Sequence, residues 1–178
     1  MGRIIAVYGV IAGVTVALLM RVAMMLFPEG GTGGMVAGFS SMIIALTFVF
    51  IGTKRYRDVE LGGVIRFGKA LGVGYGIAAI ATVFYVAAWE LYLYFTDYTF
   101  MDEYTRIALK QAKEAGKSAS EIAALVKEME GFKELYANPI SRWAVTAMEI
   151  SPVAMLMPII SASLLRNSRF MPAKAATA

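Results

Sequence analysis

Hydrophobic positions fall in four unbroken stretches, about 4–27, 35–52, 70–95 and 143–165, separated by short polar segments and one long one. Each stretch approaches or exceeds the roughly 20 residues that a helix needs to cross about 30 Å of hydrocarbon. None shows the alternation of a half-buried strand, and each is apolar all round, as a helix in lipid must be. The pattern predicts an all-α integral membrane protein with four transmembrane helices.

Between 96 and 138 the pattern changes to amphipathic. Phe100, Tyr104, Ile107 and Ala108 share one stripe, and Ile122, Leu125, Val126, Met129, Phe132 and Tyr136 another. These spacings of three and four predict two helices, about 100–115 and 119–137, joined as a hairpin between the third and fourth spans. Thr99 with Asp102 and Ser118 with Glu121 have the spacing of capping boxes. Gly116 suits the left-handed residue that ends a helix, and Asn138-Pro139 ends the second.

Composition sharpens the membrane reading, because 58% of the 178 residues are hydrophobic and only 17% charged, against about 25% charged in soluble domains. Mean hydropathy is +0.63. The chain has neither cysteine nor histidine, which removes disulfides, thiolate nucleophiles, the commonest general base and the commonest transition-metal ligand. Only Ser, Thr and Glu remain in the spans for chemistry, with no paired nucleophile and base, so no enzyme activity and no cofactor are expected. The glycines at 30, 31, 33 and 34 lack the strand and the Lys-Ser/Thr of a phosphate loop and read as a tight turn.

A pI near 9.3 would suggest nucleic acid in a soluble protein, but the bases are placed for threading. Arg3, the link at 53–69 with Lys54, Arg55, Arg57, Arg66 and Lys69, and the tail with Arg166, Arg169 and Lys174 all fall on one side of the bilayer, against Asp58 and Glu60. The other side holds Glu29 and the 96–138 segment, in which acids outnumber bases. Basic loops stay cytoplasmic, so both termini are expected inside and the hairpin outside, in the cell inner membrane. The first apolar run is too long for a signal-peptide core and is expected to stay uncleaved.

Three ionisable residues, Arg21, Glu90 and Glu149, lie in the outer halves of the spans, where charge is costly and is by default a functional candidate. They form either a structural ion pair or an ion or proton relay. Gly9-x-x-x-Gly13 and Gly72-x-x-x-Gly76 permit close helix contact, within one chain or across a homodimer. Trp89, Tyr92, Tyr94, Phe95, Tyr98 and Trp143 mark the outer headgroup level. The basic residues Lys54, Arg55, Arg57, Arg66 and Lys69 are expected to contact anionic lipid headgroups.

Tyr8-Gly9 with Gly13, Gly38-Phe39-Ser40-Ser41-Met42, the Lys54 to Asp58 run, Gly62 to Ala70, the helix from Glu121 to Pro139 and Glu149-Ile150-Ser151-Pro152-Val153 together resemble a bacterial membrane-protein family known as domain of unknown function 4199 (DUF4199). The resemblance covers nearly the whole chain. It implies a four-helix inner-membrane protein and carries no activity, substrate or catalytic residue across. The leading expectation is an envelope scaffold or accessory subunit, in a single membrane domain, that presents the hairpin to a protein partner. A carrier of small solutes or ions using Arg21, Glu90 and Glu149 is the alternative.

Overall fold

The computed structural model describes residues 1–28 and 30–173. Glu29 and Lys174, which enter the charge count above, lie outside the described residues. The elements run α1 (Gly2–Leu26), α2 (Gly31–Arg55), a π-helical turn (Tyr56–Glu60), α3 (Phe67–Phe95), α4 (Phe100–Glu114), α5 (Ala119–Ala137) and α6 (Pro139–Leu165). Four of them, Gly2–Leu26, Gly31–Glu60, Phe67–Phe95 and Pro139–Leu165, are long and apolar enough to cross a bilayer. The protein is a multi-pass, all-α membrane protein with a two-helix hairpin between its third and fourth spans.

The spans outrun the apolar stretches that announced them, because helix ends are set by capping and not by hydropathy. Asn138 accepts from the amides of Ile140 (2.9 Å) and Ser141 (3.4 Å), and Pro139 occupies the first helical position, where no amide is missed. The fourth helix therefore starts at Pro139 and carries the polar pair Ser141-Arg142 in its first turn. Midway along the same helix, Pro152 leaves the Met148 carbonyl without its usual amide. The Ser151 hydroxyl donates to that carbonyl at 2.8 Å.

Two compact units divide the chain, one from residues 1–85 together with 147 onward, the other Val86–Thr146. In the first, Met42, Ala45, Leu46 and Val49 of α2 repeat at spacings of three and four and are buried with Ala12 and Val16 of α1, Val73, Ile77 and Ala81 of α3, and Ile150 and Val153 of α6. Glycine permits the closest approaches. A Cβ on Gly9 would stand 2.7 Å from that of Ile80, and one on Gly13 would stand 2.5 Å from Phe84, well inside van der Waals contact. Gly76 meets Ile5 and Gly74 meets Pro158 in the same way. Gly72 has nothing within 4 Å, so only half of the second small-residue pair packs inside this chain. In the most apolar 18-residue window of each span only 28–39% of residues are buried, which leaves most of that apolar surface for lipid.

In the second unit the aromatic residues form a seam. Phe100 stacks on Tyr104 (5.9 Å) and Tyr136 (6.3 Å) and takes the edge of Trp89 at 4.8 Å. On α4 the buried positions are Met101 and Ala112, and on α5 Met129, so the inward stripe of α4 is rotated one residue from the one expected. Gly116 ends α4 at φ +70°, with its amide donating to Lys113 (3.0 Å) and that of Lys117 to Ala112 (3.1 Å), the paired bonds of a Schellman motif. Ser118 and Glu121 close a reciprocal capping box on α5. Thr99 and Asp102 do not. Thr99 stays in helical conformation without a side-chain cap, its hydroxyl donates back to Thr96 at 2.8 Å, and Asp102 instead pairs with Lys133 at 2.5 Å.

Candidate functional site

Glu90 sits about 7.5 Å from the end of α3, five residues at about 1.5 Å each. Its carboxylate accepts four hydrogen bonds: from Arg142 Nε (2.9 Å) and Nη2 (2.5 Å), Trp143 Nε1 (3.1 Å) and the Tyr98 hydroxyl (3.1 Å). Arg142, only 5% exposed, also donates through Nη1 to the Tyr136 carbonyl at 2.5 Å and lies 4.9 Å from the Tyr98 ring centre. A two-pronged guanidinium on a carboxylate is the strongest arrangement that such a pair offers. Removing one member of a buried pair typically costs about 3–5 kcal/mol. Asp97 and Tyr98 both have positive φ, 51° and 55°, a conformation that costs an ordinary side chain on the order of 1–3 kcal/mol. The bonds of the Tyr98 ring and hydroxyl offset that strain, and the neighbouring Glu90 carboxylate holds the Tyr98 phenol protonated above its ordinary range.

Glu149 is different. It lies ten residues into α6, about 15 Å from Pro139 and about 9 Å beyond Trp143, within the outer half of a hydrocarbon layer about 30 Å thick. Tyr85, ten residues from the end of α3, is at the matching depth, and its hydroxyl donates to Glu149 Oε2 at 3.1 Å. Among the described residues no Lys or Arg makes an ion pair with Glu149. The residue stands at the surface of the helix with its carboxyl turned against Tyr85. Arg21, five residues from the end of α1, is exposed and has an interaction of its own. The cation for Glu90 is thus Arg142, a residue that no spacing or motif singles out, since it falls between the amphipathic hairpin and the apolar stretch.

In the basic link, Arg55, Arg66 and Lys69 are exposed and Lys54 is partly so; headgroup contact is the expectation for these four and for Arg57. Arg57 is not available for that role. It is 0% exposed and its guanidinium donates to the carbonyls of Phe170 (2.9 Å), Met171 (2.5 Å) and Leu165 (3.5 Å), and to Asp58 at 2.7 Å. Asp58 is also bonded by Lys54. The π-helical turn from Tyr56 to Glu60 spends an extra residue per turn, and Arg57 within it faces inward.

Chemically, the Glu90 cluster is a neutralised brace, whereas the Glu149–Tyr85 couple is an acid with one neutral donor. No curated protein and no solved structure matches the chain. The family model described as protein of unknown function (DUF4199) matches residues 7–167, a stretch that contains both glutamates, Arg142, Tyr85 and Arg57. This chain belongs to that family.

Proposed function

We propose that this protein is a carrier of small solutes or ions in the inner membrane, not an enzyme, and that Glu149 with Tyr85 is its exchanging group. The observation that supports this reading is a carboxyl group inside the outer half of a membrane span, with a hydroxyl partner and no ion-pairing base among the described residues. A bare carboxylate there is expensive, so the group takes a proton, or an ion that stands for one, and surrenders it where water or a base is reached. Glu90, with Arg142 already on it, serves as a fixed brace. Exposed Arg55, Arg66 and Lys69 hold the cytoplasmic face against anionic headgroups.

The scaffold reading retains one specific support: Tyr104, Phe132 and Leu135 of the hairpin are exposed apolar side chains outside the spans. A partner at that face is compatible with carriage.

Carbodiimide labelling separates the readings. Dicyclohexylcarbodiimide adds to protonated carboxyl groups in apolar surroundings. In membranes containing the protein, Glu149 should be modified, with labelling falling as pH rises, while Glu90 stays unmodified, and Tyr85→Phe should change the rate at Glu149. Equal labelling of Glu90 and Glu149, or none at Glu149 at any pH, overturns the assignment.

A further inference from the structure

The hairpin unit contains a cavity of about 380 Å³, at the small end of ligand sites, which run from about 300 to 1,000 Å³. Its lining combines apolar Leu93, Phe100, Met101 and Pro139 with charged Arg142, Lys133 and Asp102. We propose that this cavity binds a single-chain amphiphile with an acidic head, a carboxylate or a phosphate, the head on Arg142 and Lys133 and the chain on Leu93, Phe100 and Met101. The proposal is independent of the Glu149 carrier reading.

Arg142 supplies the first argument. A guanidinium has five N–H donors, and the bonds that Arg142 makes use one from each nitrogen: Nε and Nη2 to Glu90, Nη1 to the Tyr136 carbonyl. One N–H on each Nη is left over, on a side chain that is almost wholly buried and lines the cavity. Such donors call for oxygen acceptors.

Lys133 supplies the second. Its ammonium is held by Asp102, but both side chains are more than 60% exposed, and exposed ion pairs contribute about 0–1 kcal/mol. The lysine is therefore easily redirected, and Asp102 marks where an acid group already sits on it. The charge of Arg142 is already met by Glu90, so an acidic head is drawn by the two spare Nη donors and by a lysine that can leave Asp102 for it. The third argument is placement. The cavity adjoins the end of α3 and the start of α6, beside exposed Tyr94, Phe95, Tyr98 and Trp143, the kind of aromatic belt that marks a bilayer surface, where single-chain amphiphiles are dissolved.

The test uses the full chain in lipid nanodiscs with dodecanoic acid carrying a photoactivatable diazirine. Label should map to peptides bearing Met101 and Ala137. Unlabelled dodecanoate and lauroyl lysophosphatidate should compete, the stronger one identifying carboxylate or phosphate as the preferred head, and dodecanol should not. Lys133→Gln should weaken binding about tenfold, the value of about 1.4 kcal/mol, and Asp102→Asn, which removes the resident acid, should strengthen it. Ala137→Trp, which fills the cavity, should abolish labelling; if that variant does not fold, the opposite signs of Lys133→Gln and Asp102→Asn decide. Label spread over the lipid-facing surfaces of the spans, equal competition by dodecanol, or no response to either charge change overturns the proposal.

Discussion

Arg57 belongs to a run of bases that would ordinarily be solvated, yet its side chain is fully buried, because four of its N–H donors meet three backbone carbonyls and Asp58 inside. Replacing it leaves those acceptors dry. Arg57→Ala should therefore lower stability by about 3 kcal/mol or more, as breaking a buried charge arrangement does, while Arg66→Ala, at an exposed position, should stay within about 0.5 kcal/mol. Arg57→Lys should not restore the loss, since a single ammonium cannot reach three carbonyls and a carboxylate in the same plane. Thermal unfolding of the three variants in detergent checks all of this. Arg142 could not be singled out beforehand for a related reason: its partner Glu90 is 52 positions away, and pairing over such a separation leaves no periodic trace in the chain.

At the scale of elements, what was legible is what local physics decides. The four spans are visible because about 20 apolar residues in a row leave no other solution, and the Ser118–Glu121 box and the Gly116 terminator are visible because a cap needs only residues three or four apart. Where an element depends on its neighbours, spacing alone does not decide its geometry. The Thr99–Asp102 spacing is that of a cap, but the two left-handed residues Asp97 and Tyr98 turn the chain so that Thr99 continues a helical turn. The α4 stripe was displaced by one residue because Phe100 is taken up by Trp89, Tyr104 and Tyr136. The α5 cap gives a pH signature. Donation from the Ser118 hydroxyl and amide holds the Glu121 carboxyl below its ordinary value of 4.5, so its folded value lies under its unfolded one. The stabilisation is complete above about 4.5 and is lost as pH falls through the lower, folded value. Protection of the amides in the first turn of α5, taken relative to the intrinsic exchange rate at each pH, should fall over that acidic window, and Glu121→Gln should flatten the dependence, because an amide oxygen accepts the same bonds without titrating.

For the whole molecule the expected sidedness rests on the bases at position 3, in the 53–69 link and after the last span. With no native cysteine, single replacements report sidedness without background. Lys117→Cys should react with a membrane-impermeant maleimide added to intact cells, and Arg166→Cys only after the membrane is opened. The reverse pattern would invert the arrangement of every loop. The candidate site was only half readable at this scale. Glu90 and Glu149 are conspicuous in sequence as acids within apolar stretches, but that one is braced and the other lacks an ion-pairing base among the described residues depends on which helices meet, which no single stretch encodes.

The Arg57 lock also bears on biosynthesis. The carbonyls that receive its guanidinium belong to Leu165, Phe170 and Met171, more than a hundred residues later in synthesis, so the arginine is made long before its acceptors exist. During that interval the nascent chain carries a cation with no interior seat, and it must remain in water or among headgroups. Assembly of the helices can be completed only after the ribosome has delivered the segment that follows the last span.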